Sequence, residues 1–329
     1  HEGYRWIAPK CILVVTQRHP MGRRPEETPT VPLKLSAFPK CYLDEIAGRR
    51  TMSVFDWIER AGTLDADGLE MYEGFFTSLD PDYLDRVGAA IASAGFAMPM
   101  LCCSPDFTHP DADARKRAVD HEAQMIRVTR RLGGPRAVCR VLSGQRHPGV
   151  SRAQGIEWVV ACIEQVLPVA REYDIVLGLE NHYKDGFWNY PEFAQKRDVF
   201  LDLLAAIPER DHFGVQYDPS NAIVAGDDPI ALLEDVADRV VSMHASDRSL
   251  AEGTTLEELR QADGTLGYAP NPRHGVVGRG LNDYDAIFRI LAAHGYRGWV
   301  SIEDGMNGME EMAESLAFLR SMSDKYFPG

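Results

Sequence analysis

Ile175-Val176-Leu177-Gly178-Leu179-Glu180-Asn181-His182 is an apolar run that stops abruptly at a carboxylate and two further polar side chains. Its length and β-branched start predict a buried strand of a parallel sheet, and its polar end predicts a strand terminus that carries chemistry. Three later stretches repeat the pattern. They are His212-Phe-Gly-Val-Gln-Tyr-Asp218-Pro-Ser-Asn221, Val240-Val-Ser-Met-His244-Ala-Ser-Asp247 and Trp299-Val-Ser-Ile-Glu303-Asp304. Segments of helical periodicity, such as Phe193–Ile207 and Pro229–Asp238, separate them. Alternation of this kind signals repeated βα units.

Working outward, the same reading marks strands at Leu33–Phe38, Gly68–Tyr72, Ala97–Cys102 and Ala137–Leu142. Helices are predicted at Val54–Gly62, Ala114–Leu132, Ala153–Glu172, Tyr284–His294 and Met309–Met322, with cap chemistry at Asp228-Pro229 and Asn282-Asp283. Eight strands with intervening helices fit a single α/β domain, a (β/α)8 barrel over residues 33–329, better than an open doubly wound sheet. No G-x-G-x-x-G follows the first strand, so no nicotinamide cofactor is expected. Residues 1–32 are expected to be an N-terminal extension, partly non-native. The long connection at 248–280 is expected to lie over the barrel mouth and to serve function.

Composition narrows the classes. With 35 Lys and Arg against 49 Asp and Glu, the formal charge of −14 argues against a nucleic-acid partner. No apolar run is long enough to span a bilayer, so no membrane partner is expected. The cysteines at 11, 41, 102, 103, 139 and 162 include no C-x-x-C pair and read as reduced thiols, which points to a cytoplasmic location.

In such a barrel the active site lies at the C-terminal ends of the strands. Glu180, Asp218, His244 and Glu303 each close an apolar run, so four consecutive strands deliver one ligand each to a single rim. Three carboxylates and an imidazole suit one divalent ion, Mn²⁺ first, with Mg²⁺ or Co²⁺ also compatible. The absence of cysteine among them disfavours a structural zinc site.

The motifs L-E-N-H at 179–182, Y-D-P-S-N at 217–221, M-H-A-S-D at 243–247, G-R-G at 278–280 and S-I-E-D at 301–304 carry a resemblance. From residue 33 onward the chain resembles the xylose-isomerase-like TIM-barrel superfamily of sugar isomerases and epimerases. The resemblance implies that Glu180, Asp218, His244 and Glu303 bind the metal, and that Glu180 and Glu303 also move protons beside a sugar carbonyl. Where ketose 3-epimerases carry a substrate-contacting histidine, this chain has Asn221, and it adds His147 and His182 near the rim. Either histidine suits a general base. Glu70, Asn221, Arg248 and His274 are candidates for substrate binding, with Arg146 and Lys40 behind them.

Leu-Ser-Ala-Phe-Pro-Lys-Cys-Tyr at 35–42, Asn221 and the extra histidines also look like the large subunit of bacterial C-glycoside deglycosidases. That resemblance implies a lyase cleaving the C-glycosidic bond of 3-oxo-C-glycosides through a metal-stabilised enolate, in a hetero-oligomer with a small β subunit. His147, His182 or Glu303 would be the base. The alternative is a sugar isomerase or epimerase that uses the same metal site with Glu180 and Glu303 as its acid–base pair. A barrel that binds sugar without turnover, and a DNA-cleaving relative, are both disfavoured by the intact ligand set and the acidic charge.

Overall fold

The computed structural model describes residues 31–255, 257–258, 272–303 and 305–329, and those of 31–329 form one compact unit. Residues 1–30 of the expected extension, part of the 248–280 connection and Asp304 lie outside the described residues.

Strands β1 (Lys34–Ala37), β2 (Gly68–Leu69), β3 (Met71–Tyr72), β4 (Met100–Cys102), β5 (Val138–Val141), β6 (Val176–Glu180), β7 (Phe213–Tyr217) and β8 (Val240–Ala245) pair in parallel, and Trp299–Ile302 closes the series. The order runs β2, β1, Trp299–Ile302, β8, β7, β6, β5, β4, β3. Because β2 and β3 flank the single residue Glu70, they are two halves of one staves-in-a-ring position, and the sheet closes as a barrel. Glu70 N–H still donates to Ala37 O at 3.1 Å. The expected eighth strand is therefore present, and the expected second one is broken in the middle.

Side chains alternate across the sheet. Leu177 and Leu179 of β6 and Val215 and Tyr217 of β7 join the large core shared with the helices. Met100, Cys102, Val138 and Val176 form a separate small cluster on the other face, inside the barrel. That interior is tight. A Cβ on Gly214 would sit 2.4 Å from Val241 Cγ1 and 2.6 Å from Arg239 O, so this layer admits no side chain there.

The helices are α1 (Val54–Ala61), α2 (Pro81–Ser93), α3 (Ala112–Gly133), α4 (Arg152–Glu172), α5 (Arg197–Ala206), α6 (Pro219–Val224), α7 (Pro229–Val236), α8 (Tyr284–Ala293) and α9 (Met309–Tyr326). Asp228 and Asp283 cap α7 and α8 as their sequence positions predict. The predicted helix from Phe193 begins four residues later. Phe193 N–H and Ala194 N–H are already taken by Gly144 O and Ser143 Oγ, so that turn belongs to the loop packing after β5. In the 248–280 connection, β9 (Arg248–Leu250) and β10 (Pro272–His274) form a short antiparallel ribbon in which His274 is the register partner of Arg248. With these, Trp299–Ile302 is β11. Among the described residues no helix is long and apolar enough to cross a membrane, and the five described cysteines are free.

Candidate active site

The register that stacks the strands also gathers their ends. Glu180 ends β6, Asp218 follows β7, His244 lies in β8 and Glu303 follows β11. One ligand atom from each lies within 4.8 Å of all the others, and all four residues are buried. His244 Nδ1 is 3.2 Å from Glu180 Oε1 and 3.7 Å from Glu303 Oε2. Asp218 Oδ1 accepts hydrogen bonds from Ser246 Oγ and from the Asn221 backbone, whereas its Oδ2 is buried without a partner.

The electrostatics follow from that crowding. Burial, with Glu303 and Glu180 beside it, pushes Asp218 up to about 7. Burial opposes ionisation of Glu180 too, but His182, His244 and Arg140 hold it well below the usual carboxylate range. Burial likewise acts on Glu303, yet Lys40 and His244 bring it down to about 2. For His244, burial is outweighed by Glu70, Glu180 and Glu303, which raise it well above the ordinary imidazole value. Three buried carboxylates repel one another unless positive charge sits among them. The oxygen and nitrogen donors, and the unpartnered Asp218 oxygen, fit one divalent cation.

The supporting side chains are as informative as the four themselves. Glu70, a candidate for substrate binding, is fully buried behind His244. Its Oε1 is 2.7 Å from His244 Nε2 and accepts from Cys102 Sγ at 2.9 Å, so it aims the imidazole from behind. Asn221, also expected at substrate, donates from Nδ2 to Glu180 Oε1 at 3.1 Å and holds the carboxylate in place. Arg140 was missed by sequence reasoning. It donates to Glu180 Oε2 at 2.8 Å, to Cys103 O at 3.0 Å and to Ser104 Oγ at 3.0 Å. A lone cation inside the buried strand Val138–Val141 was the available signal.

A cavity of about 610 Å³ opens beside the cluster, and Glu303, Lys40, Arg140, His182 and His274 contribute to its wall. Lys40 Nζ is 2.9 Å from Glu303 Oε1. His182 stacks on Tyr183, with Nδ1 3.7 Å from Glu192 Oε2. Burial, with Arg248 and Lys40 nearby, lowers His274 to about 3, so it stands neutral in the wall. Arg248 is buried with its guanidinium 5.2 Å from the centre of the Tyr183 ring. His147 lies in the loop after β5. Its Nε2 is bonded to Asp106 Oδ2 at 2.8 Å, its ring packs against His109 and Tyr190, and it is not among the residues that line this cavity. Arg146 points instead to Glu192 O and Gln195 Oε1.

The rhizopine catabolism protein MocC of Rhizobium meliloti is 27% identical over 207 residues, 59% of this chain and 60% of that protein. Inosose dehydratase of Clostridium beijerinckii is 26% identical over 106 residues, 31% of this chain and 34% of that protein. The chain thus spans between 34% and 60% of the length of these two curated relatives. Among solved structures, a D-tagatose 3-epimerase-like protein superposes with a TM-score of 0.69 at 15% identity, covering 89% of this chain and 98% of the other. The IOLI protein with a binding zinc atom gives 0.67 at 16% identity, covering 90% and 100%. At such identities these two likenesses concern the fold. A family model described as "Xylose isomerase-like TIM barrel" matches residues 55–322, and the chain belongs to that family.

Proposed function

We propose that this chain is a divalent-metal-dependent enzyme that moves a proton beside the carbonyl of a keto-sugar, as an isomerase or epimerase. The observation that carries the reading is the convergence of Glu180, Asp218, His244 and Glu303 in one buried cluster, with Glu303 opening onto the cavity. The relatives support it, since one solved structure of this fold is named as epimerase-like and another carries zinc. When bound, a divalent cation supplies Lewis acidity, which lowers the cost of negative charge growing on a ketone oxygen.

The chain's own residues divide the remaining work. Glu303, ionised at neutral pH and exposed to the cavity, takes the proton from the carbon beside the ketone. Lys40, bonded to Glu303 Oε1, steadies that carboxylate. Glu180 is the second carboxylate of the pair. Arg140 and Asn221 fix its position. The proton that Glu303 has taken goes back from Glu303 to a neighbouring carbon in isomerisation, whereas epimerisation needs Glu180 to enter the turnover protonated. His182 and His274 reach the cavity wall and hold the substrate's hydroxyls.

A second reading is a lyase, in which the same proton loss is followed by departure of a group from the next carbon. It is favoured by the extra histidine His182 in the wall and by a relative that is named a dehydratase. Cleavage of a 3-oxo-C-glycoside with a small partner subunit is the specific form of this reading. The relatives described above are not named for that reaction.

The two readings separate in heavy water. Mn²⁺-loaded protein is incubated with free ketoses and, separately, with a 3-oxo-C-glucoside. Deuterium in the recovered sugar without release of a fragment is the expected result. Aglycone release would replace it with the lyase. Neither change, with metal bound, would sink both.

A further inference from the structure

Among the described residues, two other groups of buried donors converge: Glu70, Cys102 and His244, which belong to the site above, and Cys103, Glu122 and Cys139, which do not. Cys103 follows β4, Cys139 lies in β5, and both sulfurs belong to the core shared with the helices. Glu122 reaches them from α3. The sulfurs are 3.8 Å apart, and Cys139 Sγ is 3.3 Å from Glu122 Oε1. All three residues are 0% exposed, and Glu122 Oε2 is buried with no hydrogen-bond partner. A carboxylate placed there has lost its hydration and recovered one thiol contact. Such a loss is unfavourable unless a proton or a cation completes it.

The spacing suits a cation. Two sulfurs bound at about 2.3 Å to one tetrahedral zinc ion stand roughly 3.8 Å apart, which matches the separation of Cys103 and Cys139. A sulfur and a carboxylate oxygen on the same ion stand roughly 3.6 Å apart, within a few tenths of an ångström of the contact between Cys139 and Glu122. Glu122 Oε2 would then close the shell as the second arm of a chelating carboxylate, whose short bite distorts the tetrahedron and gives that orphaned oxygen a partner. Thiolate sulfur also discriminates against the hard ions that the first site suits.

We propose that Cys103, Cys139 and Glu122 form a second, closed site for a thiophilic divalent cation such as Zn²⁺. It ties α3 to the neighbouring strands β4 and β5. Its position matters for the first site as well, because Cys103 O accepts the hydrogen bond from Arg140 Nε, and Arg140 holds Glu180.

Cobalt distinguishes the two sites, since the ligand set Glu180, Asp218, His244 and Glu303 contains no sulfur. Full-length protein produced under reducing conditions with Co²⁺ as the supplied metal is expected to show an intense near-ultraviolet thiolate-to-cobalt charge-transfer band. Cys103→Ser and Cys139→Ser should each remove most of that band and lower metal content by one equivalent per chain. Cys102→Ser, at the thiol beside Glu70, should leave the band unchanged. Absence of the band from folded wild-type protein, or its loss in Cys102→Ser alone, would overturn the proposal. The wild-type spectrum needs no substitution, so the test stands even if a variant fails to fold.

Discussion

His244 turns one imidazole nitrogen toward the carboxylates and the other toward Glu70, so its aim depends on a fully buried side chain behind the ring. Glu70→Gln keeps the shape and removes the charge that fixes the tautomer. Metal affinity at this site is expected to fall by about 10–100-fold, read by calorimetric titration, as for other residues that orient a ligand. Unchanged affinity would show that Gln216, whose amide also lies beside His244, suffices to hold the ring. The four converging residues were legible in the sequence because each interrupts an apolar run at its end. Arg140 and the orienting role of Glu70 were not. Both sit within strand-like stretches, where a charge gives no hint of which neighbour it will meet across the sheet. The partner of His147 was not legible either: it lies in the loop after β5 and bonds to Asp106, far away in sequence.

At the scale of elements, α3 is moored at one face by His121, whose Nε2 meets Glu73 Oε2 in the turn after β3. The Glu73 carboxylate raises the His121 value above the ordinary imidazole range, against the opposing effect of partial burial. A raised value in the folded state means that this contact contributes fully below the unfolded imidazole value of about 6.5. The contribution is lost as pH rises through the folded value. His121→Ala is therefore expected to lower the melting temperature most near pH 6 and progressively less in alkaline buffer. A pH-independent difference would reduce the contact to packing. The strands were read well because apolar runs bounded by polar residues have little else to become. The start of α5 was misread because two of its expected amides bond to the loop after β5, a tertiary capture that local periodicity does not encode. The ribbon of β9 and β10 was likewise hidden, since it pairs residues separated by a long connection.

For the molecule as a whole, the barrel carries its acidic cluster at the meeting point of four strands, so occupancy of that point and global stability are linked. Mn²⁺ at about 100 times its Kd should add about 2.7 kcal/mol to unfolding. In a domain of this size that corresponds to a rise in melting temperature of roughly 5 °C. Chelation should reverse the rise, and Asp218→Asn should abolish it. An equal rise in Asp218→Asn would locate the ion elsewhere. The closed ring was legible from the count and order of βα units, but its uneven strength was not.

That unevenness lies in the arc around Glu70. The ring is joined by four-residue pairing between β5 and β6 and between β1 and β11, whereas β1 with β2, β3 with β4 and β4 with β5 share only two register pairs each. A closed cylinder with one thinly paired arc opens along that arc first, much as a barrel hoop parts at its rivet. The rivet here is the carboxylate that steadies His244. Backbone amides of Leu69 and Met71 should exchange with solvent deuterium faster than those of Leu177 and Val215, and metal loading should slow that arc more than the rest of the ring. Breathing of the scaffold and loosening of the ion would then be one motion, seen from two sides.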